Sequence, residues 1–491
     1  MDAAVCPNAP LPAALGTCVV LPAFLSRAAC AQLIAAAEAR GFQHAGDDYP
    51  ASYRDNDRQV HDSVQESQAL YAQLAKRAPG LLDRLATSPS YRPESLNPRL
   101  RYCRYRAGQQ FRIHRDGVWH VDDARASQLT FLLYLTDADA KTGGDTLFYA
   151  GPPTAAGAPK VVARIRPEAG TLVLFDHRLW HAGAPIRSGS KYVLRSDGLY
   201  KRSVRPPEAP QAEAAHRGYV WSLLSLSDGG FASAGRDASV RLWSSAGEPL
   251  RLLSGHRQSV LGLALLDAQR LVSVSRDRSL KVWCADTGRM LHDVPAHGSA
   301  VLSVCALGPT GIVTGAADGS IVHWSPALTR CRAFDARAWV WSLCALDPRT
   351  FASAGEDGTA RLWRLEAQVP VAEIPGEAPL RAVAYAPARA LLVTGDARGS
   401  LRMWSQPLGE RRLVWELPAH NGAVRSLRFV DAHSLLSTGE DGKVLCHELG
   451  ACEWTTRLLH TYADFATDAI ALDAGRVASA SYDGRVLVHA R

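Results

Sequence analysis

Residues 237–243 read Asp-Ala-Ser-Val-Arg-Leu-Trp, and variants of this stretch recur along the second half of the chain. The recurrences are DRSLKVW at 277–283, DGSIVHW at 318–324 and DGTARLW at 357–363. In each of them a turn built on Asp is followed by a short apolar strand that ends in Trp. One such unit at a nearly fixed interval indicates an internal repeat, and a period of about 40 residues is typical of arrays and propellers.

The repeat extends over seven units, because the closing position can be followed to the end of the chain. The closing residues are Trp243, Trp283, Trp324, Trp363, Trp404, His447 and His489, at spacings of 39 to 43 residues. An Asp stands six residues before most of them, but the fifth unit has Arg398 there and Asp396 two residues earlier. A His opens four units, 21 residues before the Asp, at His216, His256, His297 and His420.

This pattern resembles the WD40 repeat over about residues 215–491. A single four-stranded blade cannot bury both of its faces, so blades stack around an axis until the ring closes. Seven units therefore predict a seven-bladed WD40 β-propeller. The turn Asp, the opening His, a strand Ser or Thr and the Trp are expected to share one buried hydrogen-bond network, so the four histidines are interpreted as structural rather than as metal ligands.

A segment rich in Pro, Ala and Glu, RSVRPPEAPQAEAA at 202–215, separates the two halves of the chain. It lacks apolar periodicity and predicts a linker over 203–214, between an N-terminal domain over 1–202 and the propeller over 215–491. The last repeat ends at RVLVHAR with no outer strand after it, so we expect Ser203–Val204 to complete that blade.

Composition narrows the class of protein. The net charge is +7, and residues 1–210 hold 26 Lys and Arg against 20 Asp and Glu. We interpret this excess as a solvated face plus a positive pocket for a small dianion, and expect no nucleic acid as partner. The ten cysteines are scattered without a C-x-x-C pair, which is typical of a reducing compartment. Without a signal peptide or a long apolar run, we expect a cytoplasmic protein that does not enter a membrane.

The N-terminal domain has a different pattern, with helices first and strands afterwards. Residues 16–42 predict a strand, a turn and an amphipathic helix that buries Leu33, Ile34, Ala37 and Phe42. Residues 63–86 predict a second helix. The short strands that follow favour a jelly-roll, or double-stranded β-helix, with supporting helices. The whole chain is therefore predicted to be mainly β.

The chemistry of this domain is suggested by Phe111-Arg-Ile-His114-Arg-Asp116-Gly117. Residues i and i+2 of a strand point to the same side, so His114 and Asp116 are expected to project together. His181 follows 65 residues after Asp116. Two imidazoles and one carboxylate on one face of a metal are the facial triad of non-haem iron(II) oxygenases. Lys191, ten residues after His181, is the natural cation for the distal carboxylate of a 2-oxo dicarboxylate.

Residues of about 15–202 resemble the prolyl 4-hydroxylase-like iron(II)/2-oxoglutarate dioxygenases. The matching stretches are Tyr105-Arg-Ala-Gly-Gln-Gln-Phe-Arg-Ile-His114-Arg-Asp116, Tyr134-Leu-Thr, Gly143-Gly-Asp-Thr146, and His181 followed by Gly189-Ser-Lys191-Tyr192. The resemblance implies that His114, Asp116 and His181 bind Fe(2+) and that Lys191 binds 2-oxoglutarate. It also implies that Tyr105 and Tyr134 lie near the co-substrate, that O2 is the second co-substrate, and it raises ascorbate as an additional reductant.

Several assignments stay open from the sequence. His177 is the rival third ligand to His181, and His120 is a weaker rival. Arg195 shares a predicted strand with Lys191 at i+4 and is a further candidate for the pocket. Within the polar segment 53–58, Asn56 and Arg58 are candidate substrate contacts, with a polar surface loop as the alternative.

The implied reaction is oxidative decarboxylation of 2-oxoglutarate coupled to hydroxylation of a C–H bond. The favoured prediction is a peptidyl hydroxylase whose propeller recruits a protein partner or peptide substrate. The alternatives are hydroxylation of a small molecule and a non-catalytic scaffold with a vestigial oxygenase domain. Nucleic-acid repair is disfavoured, because Lys191–Leu199 lacks the R-x-N-x-T-x-R pattern of those enzymes.

Overall fold

A computed structural model describes residues 17–47, 50, 54–86, 91–119, 121, 125–153, 159–202, 216–449, 454–473 and 475–491. The chain divides into two compact units, and the boundary falls within 203–215, outside the described residues. The limits proposed for the two domains and the linker therefore stay predictions. Among the described residues, none of the helices has the length and hydrophobicity that a membrane crossing needs.

Three α-helices lie among the described residues of the first unit, and two of them begin at a serine cap. They are α1 (Arg27–Arg40), α2 (Val64–Arg77) and α3 (Leu81–Arg84). The Ser26 hydroxyl accepts a hydrogen bond from Ala29 N, and the Ser63 hydroxyl accepts one from Glu66 N. The single helix predicted over 63–86 was wrong, because the chain breaks before α3 at Gly80, whose φ is 66°. Pro79 cannot donate a helical hydrogen bond, and glycine adopts this left-handed turn without steric cost.

Two β-sheets form the body of the first unit. The larger has the order β1-β11-β8-β13-β6-β4-β2, with β5 paired to β13, and the smaller has the order β10-β9-β12-β7-β3. The strands are β1 (Cys18–Leu21), β2 (Gln43–His44), β3 (Arg54–Asp55), β4 (Asp57–Asp62), β5 (Tyr91–Leu96), β6 (Arg99–Arg106), β7 (Gln110–His114), β8 (Arg125–Tyr134), β9 (Thr146–Tyr149), β10 (Val161–Ile165), β11 (Leu172–Asp176), β12 (His181–Gly183) and β13 (Ser190–Arg202).

Alternation along the central strands gives this unit two apolar layers. Leu172 and Leu174 of β11 pack in one cluster with residues of α1 and α2, whereas Val173 and Phe175 pack in another with residues of the smaller sheet. Successive side chains of a strand point to opposite faces, so one strand serves both layers. The result is the predicted jelly-roll with helices on the outer side of its larger sheet.

The second unit is the predicted seven-bladed propeller. Six four-stranded sheets and a three-stranded seventh follow one another along the described residues. The blades contain β14 (Val220–Ser225), β15 (Phe231–Gly235), β16 (Ser239–Trp243) and β17 (Pro249–Ser254); β18 (Val260–Leu265), β19 (Arg270–Ser275), β20 (Ser279–Cys284) and β21 (Met290–Pro295); β22 (Val301–Ala306), β23 (Ile312–Ala316), β24 (Ser320–Trp324) and β25 (Arg330–Asp335); β26 (Val340–Asp347), β27 (Thr350–Gly355), β28 (Thr359–Arg364) and β29 (Ala372–Pro375); β30 (Leu380–Ala386), β31 (Leu391–Asp396), β32 (Ser400–Ser405) and β33 (Arg412–Pro418); β34 (Val424–Phe429), β35 (Ser434–Gly439), β36 (Lys443–Leu449) and β37 (Trp454–Thr461); and β38 (Ala466–Ala471), β39 (Arg476–Ser481) and β40 (Val486–Ala490).

The first blade contains the expected buried hydrogen-bond network. Trp243 Nε1 donates to Ser233 Oγ at 2.8 Å, and His216 Nε2 lies 2.7 Å from the same hydroxyl. His216 Nδ1 lies 3.0 Å from the Asp237 carboxylate. His256 and His420 make the same contacts in the second and sixth blades, and His297 bonds Thr314 and Ser320 in the third. The structural interpretation of these histidines is confirmed.

The seventh and the fifth blades depart from this network, one at the opening histidine and the other at the turn carboxylate. In the seventh blade Tyr462, 21 residues before Asp483, bonds Ser479 Oγ through its hydroxyl at 2.8 Å. In the fifth blade Asp396 accepts hydrogen bonds from Arg398 N at 2.8 Å and Ser400 N at 3.0 Å, so it supplies the turn carboxylate. Ser203–Val204, expected to complete the last blade, lie outside the described residues.

Hydrogen bonds to one buried carboxylate connect the inner strand of the seventh blade to those of the sixth and the first. Asp468 accepts hydrogen bonds from Leu223 N at 2.8 Å, from Ser426 Oγ at 2.5 Å and from Arg428 Nη2 at 2.9 Å. Arg428 Nη2 also donates to Leu223 O at 3.2 Å. Asp468 therefore links three blades through one buried carboxylate.

Candidate metal centre

Strand pairing brings together the three residues predicted as ligands. His114 ends β7, and His181 begins β12 directly opposite it in the register of the smaller sheet. Asp116 follows two residues after β7. His114 Nε2 lies 3.5 Å from Asp116 Oδ1, and His181 Nε2 lies 3.6 Å from Asp116 Oδ2. One ligand atom from each residue falls within 4.8 Å of the other two, so the cluster can hold a single metal ion.

Backbone carbonyls fix the orientation of both imidazoles. His114 Nδ1 lies 2.7 Å from Arg112 O, and His181 Nδ1 lies 2.9 Å from Leu179 O. A carbonyl can only accept, so each Nδ1 carries the proton and each Nε2 presents a lone pair to the centre of the cluster. Metal-binding histidines commonly have this kind of support behind them. Burial lowers the pKa of both imidazoles, that of His181 to about 3 with a further effect of His114, which favours the neutral, ligating form.

The Asp116 carboxylate is held by Thr130 and, through it, by His177. Thr130 Oγ1 donates to Asp116 Oδ2, and His177 Nδ1 lies 3.0 Å from Thr130 Oγ1. His177 Nε2 lies 2.9 Å from Ser127 Oγ. Both ring nitrogens of His177 are therefore engaged outside the cluster, which contains His181 instead. His120, the weaker rival, lies outside the described residues.

Arg195 balances the charge of Asp116. Its Nη2 lies 2.5 Å from Asp116 Oδ1, and it lines the same cavity as Lys191. Burial alone would raise the pKa of Asp116, but Arg195 and the two histidines hold it well below its usual range. Burial would likewise lower the pKa of Arg195, but the carboxylates of Asp116 and Asp197 raise it. The carboxylate is therefore ionised, as a metal ligand must be.

Lys191 occupies the inner part of the cavity and is buried. Its Nζ donates to Gly144 O at 2.5 Å and lies 5.3 Å from the centroid of the Tyr134 ring. Gly144 has a φ of +81°, and a Cβ there would lie 2.4 Å from Ile186 and 3.2 Å from Lys191. The glycine therefore allows the backbone to approach the ammonium group. Burial lowers the pKa of Lys191 to about 8, so the amine is still largely protonated at neutral pH.

The two predicted tyrosines occupy different positions. Tyr105 is paired with Lys191 across β6 and β13 and lines the cavity. Burial raises the pKa of its hydroxyl to about 12, so the hydroxyl stays protonated and can donate. Tyr134 is fully buried, and its hydroxyl donates to Thr146 Oγ1 at 2.6 Å. Tyr105 is placed to contact a bound molecule, whereas Tyr134 stands behind the cavity wall.

The polar segment before β4 contributes Arg54, which the sequence analysis did not single out. Arg54 is buried, lines the cavity and stacks over the Phe111 ring at 4.5 Å. Its Nε donates to Asn56 Oδ1 at 2.7 Å, so Asn56 supports Arg54. Among the described residues, neither Asn56 nor Arg58 lines the cavity, and their role as substrate contacts stays a prediction. The sequence carries no signal that distinguishes Arg54 from its neighbours, because residues 54–56 are all polar.

A jelly-roll that carries two imidazoles, a carboxylate and a buried lysine around one cavity is typical of non-haem iron oxygenases. Residues 100–196 match the 2OG-Fe(II) oxygenase superfamily. Residues 211–244, 247–284, 329–364 and 411–448 match the WD domain, G-beta repeat. The chain therefore contains a 2OG-Fe(II) oxygenase domain followed by WD40 repeats. The predicted combination of these two families is confirmed at that level.

Curated relatives share only part of their length with this chain. Telomerase protein component 1 of Mus musculus is 30% identical over 208 residues, which is 39% of this chain and 8% of that protein. Apoptotic protease-activating factor 1 of Homo sapiens is 26% identical over 246 residues, which is 50% of this chain and 16% of that protein. Nuclear distribution protein PAC1 of Yarrowia lipolytica is 39% identical over 99 residues, which is 18% of this chain and 22% of that protein. The chain thus spans less than a quarter of each of these relatives.

Proposed function

We propose that this chain is an iron(II)- and 2-oxoglutarate-dependent hydroxylase of the prolyl 4-hydroxylase-like kind. His114, Asp116 and His181 hold the iron, and Lys191 pairs with the distal carboxylate of 2-oxoglutarate. One observation carries the proposal. One ligand atom from each of these three residues lies within 4.8 Å of the other two, and both histidines line the cavity that also contains the buried Lys191.

The donor set fits iron(II), because neutral imidazole and carboxylate suit this metal and three protein ligands leave coordination positions open. Bound iron with 2-oxoglutarate and O2 supplies the oxidising chemistry. The residues of the chain bind, orient and desolvate the reactants. His114 and His181 are locked by backbone carbonyls, and Thr130 fixes the carboxylate of Asp116.

The electrostatics of the cavity favour a small dianion. Arg54, Lys191 and Arg195 line it. Asp116 compensates the charge of Arg195, and Lys191 and Arg54 are the cations that remain for a ligand. Lys191 and Tyr105 are neighbours across two strands, so an ammonium and a phenolic hydroxyl can both reach one carboxylate. A dicarboxylate that chelates a metal with one end can form ion pairs with these cations through its other carboxylate.

The prime substrate is proposed to be peptidyl, with the propeller as the recruiting domain. WD40 repeats generally mediate protein–protein interactions, and we assign this role to the propeller by analogy with the fold. Ascorbate as an additional reductant belongs to the same proposal. A cytoplasmic location is proposed because all eight cysteines among the described residues carry free thiols.

The metal site is tested with the full chain by titrating Mn²⁺ or Co²⁺ and by measuring substrate-independent succinate formation with iron(II) and 2-oxoglutarate. His114→Ala and His181→Ala are expected to lose both metal binding and succinate formation. His44→Ala is the matched control, since His44 is an exposed histidine of the same domain whose Nε2 pairs with Asp55 at 2.9 Å. Wild-type metal affinity in His114→Ala contradicts the ligand assignment.

The substrate class is tested by mass spectrometry for products heavier by one oxygen atom, in cells with the wild type or with Asp116→Ala. The proposal expects wild-type-dependent oxygen on protein-derived peptides. Wild-type-dependent oxygen confined to small metabolites refutes the peptidyl substrate and leaves the hydroxylase standing. No difference between the two cell lines contradicts the proposed activity in that cell.

A further inference from the structure

The opening residue of each blade lies four positions before the first strand of that blade. In blade order these residues are His216, His256, His297, Ala336, Gly376, His420 and Tyr462. Five of them have a ring that bonds the hydroxyl of the next strand, but alanine and glycine have no hydrogen-bonding side chain. The fourth and fifth blades must therefore satisfy the rest of the network in another way.

The fourth blade does so with an arginine. Arg361 is buried, and its Nη2 lies 2.5 Å from Asp357 Oδ2, so it makes the contact with the turn Asp that an imidazole makes elsewhere. Trp363 Nε1 still donates to Ser353 Oγ, at 2.9 Å. The indole, the hydroxyl and the carboxylate of this blade all have partners.

The fifth blade places a carboxylate in the same region. In the strand register Asp396 occupies a position that is glycine, alanine or serine in the other blades. In the first blade a Cβ added there, at Gly235, would lie 2.1 Å from His216 Nδ1. The larger side chain of Asp396 can be accommodated because the opening residue is Gly376, and both residues line one cavity with Thr394 and Trp404.

This arrangement leaves the indole of Trp404 without a protein partner. The third blade has the same two residue types, and there Trp324 Nε1 donates to Thr314 Oγ1 at 2.9 Å. Trp404 Nε1 is buried as well, but no acceptor for it lies among the described residues. A buried donor that makes no hydrogen bond is costly, so the cavity requires an acceptor beside the indole.

The carboxylate of Asp396 provides the complementary group. It is buried and accepts the backbone hydrogen bonds of Arg398 and Ser400 through Oδ1. In the described part of the chain no donor reaches Oδ2, so this oxygen can accept from a bound molecule. Thr394 Oγ1 donates weakly, at 3.4 Å, to Arg402 O and can also accept.

The charges of the lining exclude ions as the ligand. A cation would meet the hydrogen of the Trp404 indole, and an anion would meet the Asp396 carboxylate. Arg402 also lines the cavity, but its Nη2 lies 2.9 Å from Glu377 Oε1 and 2.8 Å from Glu416 Oε1, which balance its charge. A neutral molecule that both accepts and donates fits the lining. The free volume of about 10 Å³ is roughly the room that one water molecule requires.

We propose that this cavity binds one water molecule. The water accepts from Trp404 Nε1 and donates to Asp396 Oδ2 and Thr394 Oγ1, which gives it the three hydrogen bonds that a buried water usually makes. It performs in the fifth blade the bridging role that an imidazole performs in four others. The site is independent of the proposed hydroxylase function, since it requires neither metal nor turnover.

The test uses the full chain labelled with [15N]tryptophan and measures dipolar magnetisation transfer from water to the indole N–H protons by NMR. The signals are assigned by their loss in Trp404→Phe and Trp324→Phe. We expect strong transfer to Trp404 and weak transfer to Trp324, the matched control whose indole bonds Thr314 directly. Since each indole has a threonine in its own blade, the control accounts for exchange through the hydroxyl.

The variant Gly376→His/Asp396→Gly/Arg398→Asp rebuilds the arrangement of the first blade. It should lose the transfer to Trp404, because the imidazole then occupies the site of the water. Equal transfer to Trp404 and Trp324 in the wild type overturns the proposal, and so does transfer to Trp404 that persists in the folded variant. If the variant does not fold, the wild-type comparison decides alone. Loss of succinate formation with unchanged transfer refutes only the hydroxylase.

Discussion

Replacing Asp468 by Ala is expected to loosen the ring where its two ends meet. The carboxylate is buried and accepts hydrogen bonds from Leu223, Ser426 and Arg428. The substitution removes the acceptor of all three hydrogen bonds and leaves Arg428 without its counter-charge. Net hydrogen bonds contribute about 1 kcal/mol each, and those to a charged group about 1.5 to 3 kcal/mol. Because the Arg428 side chain is 39% exposed, we take about 1 kcal/mol for each of the three hydrogen bonds. The free energy of unfolding is therefore expected to decrease by about 3 kcal/mol.

The assay is thermal unfolding followed by tryptophan fluorescence, because ten of the twelve tryptophans lie in residues 215–491. A loss of about 3 kcal/mol corresponds to a decrease in Tm of roughly 6 to 12 °C for a domain of this size. Glu366→Ala is the control, since it breaks an exposed pair with Arg349 and should lower Tm by no more than about 3 °C. Equal Tm values for the two variants refute the view that Asp468 closes the ring.

Three further outcomes are expected. Thr130→Val removes the donor to Asp116 and should weaken Mn²⁺ binding about 10-fold or more, measured by titration, whereas unchanged affinity contradicts the supporting role of Thr130. Lys191→Met removes the charged partner of the distal carboxylate and should cost about 2 to 3 kcal/mol of binding free energy. The KM for 2-oxoglutarate should then rise roughly 30- to 150-fold, while Mn²⁺ affinity stays unchanged. Burial lowers the pKa of His297 to about 4. The unfolded chain therefore binds the extra proton as the pH falls below about 6.5, and the contribution of His297 to the free energy of unfolding should decrease by about 2 kcal/mol from pH 7 to pH 5. Urea midpoints should show a smaller decrease in His297→Gln, and equal decreases contradict the assignment.

Most of the fold could be predicted from the local periodicity of the sequence. The repeated Asp-to-Trp stretch specified the blades, because each blade repeats the same local hydrogen bonds. The helix over 63–86 was predicted without its break, since its apolar spacing continues across Pro79 and Gly80. Tyr462 stands at the spacing of the opening histidines, 21 residues before Asp483, but was not recognised because only imidazoles were considered there. Its hydroxyl takes the place of an imidazole nitrogen by bonding Ser479.

Site residues could be predicted where they lie close together in the sequence or on the same strand. Lys191 and Arg195 share β13, so strand alternation was enough for this pair. His114 and Asp116 are two residues apart as expected, although β7 ends at His114 and Asp116 follows it outside the strand. Thr130 and His177 meet Asp116 only after β8 and the turn beyond β11 have folded against it, so their role could not be derived from spacing. Arg54 depends on the same kind of long-range packing, across β3 and β7.

Burial lowers the pKa of Lys191 to about 8, so the proposed binding of a dicarboxylate in this cavity is expected to be linked to proton uptake. At pH 8 roughly half of the chains hold a neutral amine, and an entering dicarboxylate stabilises the ammonium form. Binding then takes up about half a proton per site from the solvent, and less at lower pH, where the amine is already charged. The heat of binding will therefore vary with the ionisation enthalpy of the buffer, and the affinity for the dicarboxylate will decrease as the medium becomes more alkaline.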